Sequence, residues 1–95
     1  MPEMRFLVRW PDGSAESCYS PSLVIREHMA EGESYPVADF VGRSRVALEI
    51  ASERVREKYG FACSSALDQL ARIEARAKDF GDAPDARVAV ISFQL

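Results

Sequence analysis

The sequence predicts a small α+β domain, with elements in the order ββαααβ and helices packed on one face of a mainly antiparallel sheet. Three observations predict it. Residues 4–10 alternate apolar and polar, as a half-buried strand does. Residues 37–59 place apolar side chains at alternating spacings of four and three, the period of a long amphipathic helix. Within residues 87–95, Val88, Ala89, Val90, Ile91, Phe93 and Leu95 are apolar on both faces, the pattern of a strand buried from both sides or paired in an oligomer.

Each element follows from its residues. In the first strand, Met4, Phe6, Val8 and Trp10 point one way and Arg5, Leu7 and Arg9 the other. Pro11-Asp12-Gly13 is a turn tripeptide: proline presets φ, aspartate bonds the backbone, and glycine takes positive φ. Residues 14–20 return as the second strand, closing a β-hairpin. Ser20-Pro21 reads as the cap and first position of a short helix from Pro21 to Glu31, stopped by Gly32. Leu23, Val24, Ile25 and Met29 form its loosely periodic apolar set. The long helix carries Val37, Val41, Ser44, Leu48, Ala51, Val55 and Tyr59 on one stripe, widened by Phe40. Gly60 ends it, where left-handed geometry costs glycine little. Ser64 or Ser65 caps a third helix with an apolar face of Ala66, Leu67, Leu70, Ile73, Ala77 and Phe80, ended by Gly81. The loop Asp82-Ala83-Pro84-Asp85 leads into the strand Arg87–Leu95, expected beside the first strand. Three strands leave exposed edges, and an open edge invites a second copy. A homodimer is the expectation.

Composition narrows the function. A chain of 95 residues makes one domain, too small for a Rossmann enzyme, a barrel or a kinase. Twelve Lys and Arg against fifteen Asp and Glu give a net charge of -3, which argues against a nucleic-acid partner. The longest apolar runs fall far short of a membrane span, and the N-terminal residues show no signal-peptide pattern. Two cysteines are too few for a disulfide framework. A cytoplasmic protein is the expectation, with no membrane association. No Gly-rich phosphate loop, GxSxG, HExxH or paired-carboxylate signature occurs, and nothing in the sequence implies a cofactor or a metal.

Several residues could carry chemistry. Cys63 precedes a helix N-terminus, where the dipole favours a thiolate and first-turn N–H groups can hold an oxyanion. The plainer reading is a packed thiol under the inter-helix turn. His28, the single histidine, falls late in the short helix and reads as a surface residue. A metal site would need His28, Cys18 and Cys63 to converge, and no local spacing supports that. Arg43, Arg54 and Lys58 share one flank of the long helix, as an anionic ligand or acidic partner would require, or as a solvated face would supply. Trp10, Tyr19, Tyr35 and Tyr59 lie near element ends, where aromatics rim pockets, anchor interfaces or close a core.

A longer pattern runs through the chain. Met1-Pro2-Glu3-Met4-Arg5-Phe6, Val8-Arg9-Trp10-Pro11-Asp12-Gly13 and Cys18-Tyr19-Ser20-Pro21-Ser22 are followed by Tyr35-Pro36, Phe40 and Arg43-Ser44. Ile50-Ala51-Ser52-Glu53-Arg54-Val55-Arg56, Lys58-Tyr59-Gly60-Phe61 with Cys63, and Asp68-Gln69-Leu70 complete it. Together these resemble the small nitrogen starvation response protein family first defined in mycobacteria. The resemblance implies bacterial gene clusters that also encode a nitrilase-type hydrolase, a radical SAM protein, a flavin-dependent oxidoreductase and an acetyltransferase-like protein. It implies nitrogen scavenging from nitriles or cyanide, and it carries no assigned catalytic residues.

Three readings follow. The first is a non-catalytic accessory protein that binds the cluster's nitrilase, radical SAM protein or flavoprotein. The second is a small enzyme or carrier using Cys63, with Arg54 or Lys58 positioning an anionic substrate. The third is a ligand-sensing regulator working through protein contacts.

Overall fold

A computed structural model of the chain describes residues 2–81, 83 and 85–95. Strands β1 (Met4–Arg9), β2 (Ala15–Ser20), β3 (Ser34–Pro36) and β4 (Arg87–Gln94) form one antiparallel sheet in the order β2-β1-β4-β3. Helices α1 (Ile25–His28), α2 (Val37–Tyr59) and α3 (Ser64–Ala77) contribute the rest. The α+β class and the placement of the last strand beside the first are as the sequence predicts.

The hairpin forms as its turn residues dictate. Trp10 N–H donates to Ser14 O at 2.8 Å, and Gly13 takes φ of 89°. The Asp12 carboxylate accepts from Ser14 N–H at 2.9 Å and Ser14 Oγ at 2.6 Å. Arg76 Nη2, from α3, reaches the same carboxylate at 2.5 Å, tying the turn to the helical layer. The Ser14 hydroxyl, the Ser14 N–H and then Arg76 hold the Asp12 carboxyl at about 2, below its ordinary 3.8. In an unfolded chain Asp12 therefore protonates first as pH falls. Its stabilising contribution is present above about pH 4 and is lost as pH drops through about 2. Acid denaturation of the native protein beside Asp12→Asn should show this: a native advantage at pH 6 that vanishes near pH 2. An advantage that persists there would contradict the assignment.

The core lies between the sheet and the helices. Met4, Phe6 and Val8 from β1, Trp10 just after it, Cys18 from β2 and Val88 and Val90 from β4 are buried against Phe40, Ala47, Leu48 and Ala51 of α2. Ala66, Leu70 and Ile73 of α3 and Val24, Ile25 and Met29 around α1 complete it. Trp10 stands at its end. Its ring meets Phe40 edge-on at 5.5 Å and stacks on Phe80 at 5.8 Å, while Nε1–H donates to Glu16 at 2.9 Å.

Four expectations are corrected. The short helix is one turn, Ile25–His28, rather than Pro21 to Glu31. Ser20 does not cap it; the buried Ser20 hydroxyl donates to Ser22 O at 2.7 Å and accepts from Ser22 N–H at 3.3 Å, so residues 20–22 knot into a turn. A fourth strand, β3, pairs with β4 through Ser34↔Ala89, Tyr35↔Val88 and Pro36↔Arg87. The third helix has Cys63 at its N-cap, with no side-chain cap bond, and Ser64 and Ser65 lie inside the first turn. It gives way to a 3-10 turn at Lys78–Phe80. Finally, β4 is central but not covered on both faces. The register slips between Leu7 and Val8, so Ile91 is an extra residue there and remains exposed. The predicted loop at residues 82–85 includes Asp82 and Pro84, which lie outside the described residues.

Candidate functional site

The end of α2 and the start of α3 meet at the outer edge of β2. Gly60 ends α2 at φ of 87°, its N–H bonded to Arg56 O at 2.8 Å. The turn that follows is held by Cys63 N–H donating to Ser52 Oγ at 3.2 Å. Beneath it, Glu3, Tyr19, Pro21, Val55, Tyr59 and Cys63 enclose a hollow of about 230 Å3. Three residues singled out from the sequence, Tyr19, Tyr59 and Cys63, are thus brought together from three separate elements.

Tyr19 is the pivot of the region. Its hydroxyl donates to Glu3 at 3.0 Å, and Arg5 lies 5.8 Å from its ring centre. Burial, reinforced by the Glu3 hydrogen bond, pushes its phenol up to about 12, so it stays a neutral donor at any physiological pH. Its backbone N–H points outward from the sheet and donates to Gln69 Oε1 of α3 at 3.0 Å. That contact borders a larger polar groove of about 500 Å3 between β2 and α3, lined by Arg5, Ser17, Ser65, Asp68 and Arg72 among others. Gln69 is buried, and its amide nitrogen has no partner. Sequence reading passed it over, although the spacing Ala66, Gln69/Leu70, Ile73 already put it on the apolar face.

The other candidates go elsewhere. Arg43 stacks over Tyr35 at 4.4 Å, donates to His28 O at 2.6 Å and pairs with Asp39 at 3.0 Å. It clamps the end of α1 and strand β3 onto α2. Arg54 donates to Ser22 Oγ at 3.0 Å, bracing the 20–22 turn. Lys58 lies 5.4 Å from the ring centre of Tyr59. The shared helical flank of Arg43, Arg54 and Lys58 is therefore divided among separate local partners rather than gathered around one ligand position. Trp10 belongs to the core, with Arg76 5.8 Å from its ring. Tyr35 donates nothing to a pocket; its hydroxyl accepts from Ala30 N–H at 3.0 Å. His28, Cys18 and Cys63 do not converge, and no metal-ligand cluster occurs among the described residues.

Two apolar side chains at this corner stand in water. Tyr59 is 55% exposed and Phe61 69%. The predicted apolar stripe of the long helix runs out of the core at Tyr59, and Phe61 follows one residue beyond Gly60. Leu67, expected on the buried face of α3, is exposed on the same helix. A family model described as nitrogen starvation-induced protein NitG matches residues 5–93, across both strands of the hairpin, all three helices and nearly all of β4. The chain belongs to the NitG family. No curated protein and no solved structure matches it. The corner of Tyr19, Tyr59, Phe61 and Cys63 lies inside the NitG match, as does nearly all of the sheet.

The two thiols differ in access. Cys18 is fully buried, and burial, with the Glu16 charge second, pushes it up to about 12. Cys63 is half-buried at the hollow. A maleimide should label one thiol per native chain and two after unfolding in guanidinium. Rapid labelling of both in the native protein would contradict this packing. No helix among the described residues is long and apolar enough to cross a membrane.

Proposed function

We propose that this NitG-family protein is a non-catalytic accessory protein of the nitrogen-starvation response and acts by binding a partner protein. The observation that carries the reading is the aromatic corner. Tyr59 and Phe61 remain exposed beside a hollow whose floor is Tyr19, Val55 and Cys63. Large aromatic side chains left in water beside a hollow suit the anchors of an interface. The partner expected is an enzyme induced with it, such as a nitrilase, a radical SAM protein or a flavoprotein. The reading is tested by tagging the protein in its nitrogen-starved host and identifying what elutes. Recovery of one induced enzyme in stoichiometric amount supports it; recovery of the protein alone overturns it.

A second reading rests on Cys63. The hollow places this half-buried thiol with the Tyr19 hydroxyl and the Glu3 carboxylate. A small cysteine-dependent enzyme or carrier would use such a group. Cys63→Ser should then abolish growth on the relevant nitrogen source while leaving the protein folded. Normal growth of that strain would remove the reading.

A further inference from the structure

The helices cover one face of the sheet and leave the other bare. On β1, Met4, Phe6 and Val8 are buried beneath the helices, so Arg5, Leu7 and Arg9 project from the opposite face. The register gives that face row by row. Arg5 stands between Tyr19 and Gln94, Leu7 between Ser17 and Ser92, and Arg9 between Ala15 and Ala89. No row contains an acid opposite an arginine. The neighbours of Leu7 and Arg9 are small, and Leu7 is half-buried at the centre of the face.

Ion pairing divides the molecule the same way. All six arginines on α2 and α3 (Arg43, Arg45, Arg54, Arg56, Arg72 and Arg76) pair with a carboxylate within 4.0 Å. Among the described residues, four arginines have no ion pair, and three of them, Arg5, Arg9 and Arg87, belong to β1 and β4. Arg87 lies on the same face as Ala89 and, among the described residues, bonds Ser34 at 3.0 and 2.7 Å. Two acids approach the Arg5 end of the face: Glu3, which accepts from the Tyr19 hydroxyl, and Asp68, which lines the same groove as Arg5. Setting aside Arg5, Arg9, Arg87 and Glu3 leaves nine basic against fourteen acidic residues in the rest of the chain. A protein that is acidic overall thus keeps a face with a basic excess around an apolar centre, strongest at its Arg9 and Arg87 end.

We propose that the bare sheet face is a docking surface for an acidic, amphipathic segment of a partner protein. Leu7 receives an apolar side chain, and Arg5 and Arg9, about 13 Å apart along the strand at ~3.3 Å per residue, take carboxylates on either side. Arg87 extends the basic rim. This arrangement of an apolar centre inside a charged rim is how a small interface excludes water from its anchor. The acidic remainder of the molecule repels a polyanion such as nucleic acid, whereas a short acidic segment contacts the basic face alone. The surface meets the aromatic corner at Tyr19, but Leu7, Arg9 and Arg87 do not line that hollow, so their variants test the face apart from the corner.

The probe is a synthetic helical peptide with leucine between glutamates on one face, titrated into 15N-labelled protein. The expected result is amide shifts confined to Arg5–Arg9, Ser17 and Ser92. Binding should weaken at least tenfold in R5S/R9S, and further in R5S/R9S/R87S. It should persist in R45S/R56S, which removes two helical arginines. A version with lysine replacing glutamate should not bind. These side chains are exposed, and circular dichroism with a thermal melt confirms that each variant folds. Absence of binding, shifts confined to α2 and α3, or tighter binding of a single-stranded oligonucleotide than of the peptide would each overturn the assignment.

Discussion

Trp10→Ala will cost about 3–5 kcal/mol, the range for removing a large aromatic from a core. Trp10 is almost fully buried and joins three elements. It ends the first run of the hairpin, packs edge-on against Phe40 of α2 and stacks on Phe80 of the turn after α3. Alanine would open a cavity that none of these rings can fill without moving its own backbone. It would also strand Glu16, which accepts the indole N–H at 2.9 Å, although that carboxylate can turn to water. A protein of 95 residues has roughly 5–10 kcal/mol of stability in hand. The variant should therefore melt on the order of 15 °C lower or more, with weakened near-ultraviolet circular dichroism. Trp10→Phe, which keeps the stacking and loses the hydrogen bond, should fall well between the two. A Trp10→Ala melt within a few degrees of the native protein would show that the ring is not the keystone its contacts describe.

The second large effect concerns the corner. Replacing both Tyr59 and Phe61 by serine should cost the partner complex about 2–4 kcal/mol, the scale of paired aromatic hot spots, or roughly 30- to 1,000-fold in affinity. Fold stability should change by less than about 1 kcal/mol, because both side chains are already mostly in water. The contrast between the two readouts is the informative part. A variant that keeps both its melt and its partner would move the interface away from this corner. A variant that loses both would show that the aromatics are structural.

Much of the architecture was legible in the chain because local chemistry and burial agreed there. The hairpin is written in alternation and in Pro11-Asp12-Gly13, and α2 in its period and in Gly60. The missed elements share one cause, which is that long-range contacts outweighed local signals. Ser34-Tyr35-Pro36 is too short to show a period and includes a proline, yet it becomes β3 because Arg87–Ala89 offers an edge. The helix expected from Pro21 shrinks because Ser20 and Ser22 satisfy each other's backbone instead. The site was legible only in part. Tyr19, Tyr59 and Cys63 could be chosen by residue type, but their convergence depends on how α3 folds back over β2. The bare sheet face was invisible for the same reason. Arg5 and Arg9 look like ordinary outward residues until the register shows that no acid stands opposite them on the neighbouring strands.

The reading turns on whether this protein works in company. Light scattering coupled to size-exclusion chromatography, on protein tagged and isolated from nitrogen-starved cells, measures that directly. The account predicts one species larger than the chain and any self-dimer, containing a single induced enzyme in fixed ratio. Elution solely as monomer or homodimer at cellular concentration would contradict it and leave Cys63 and its hollow as the place to look.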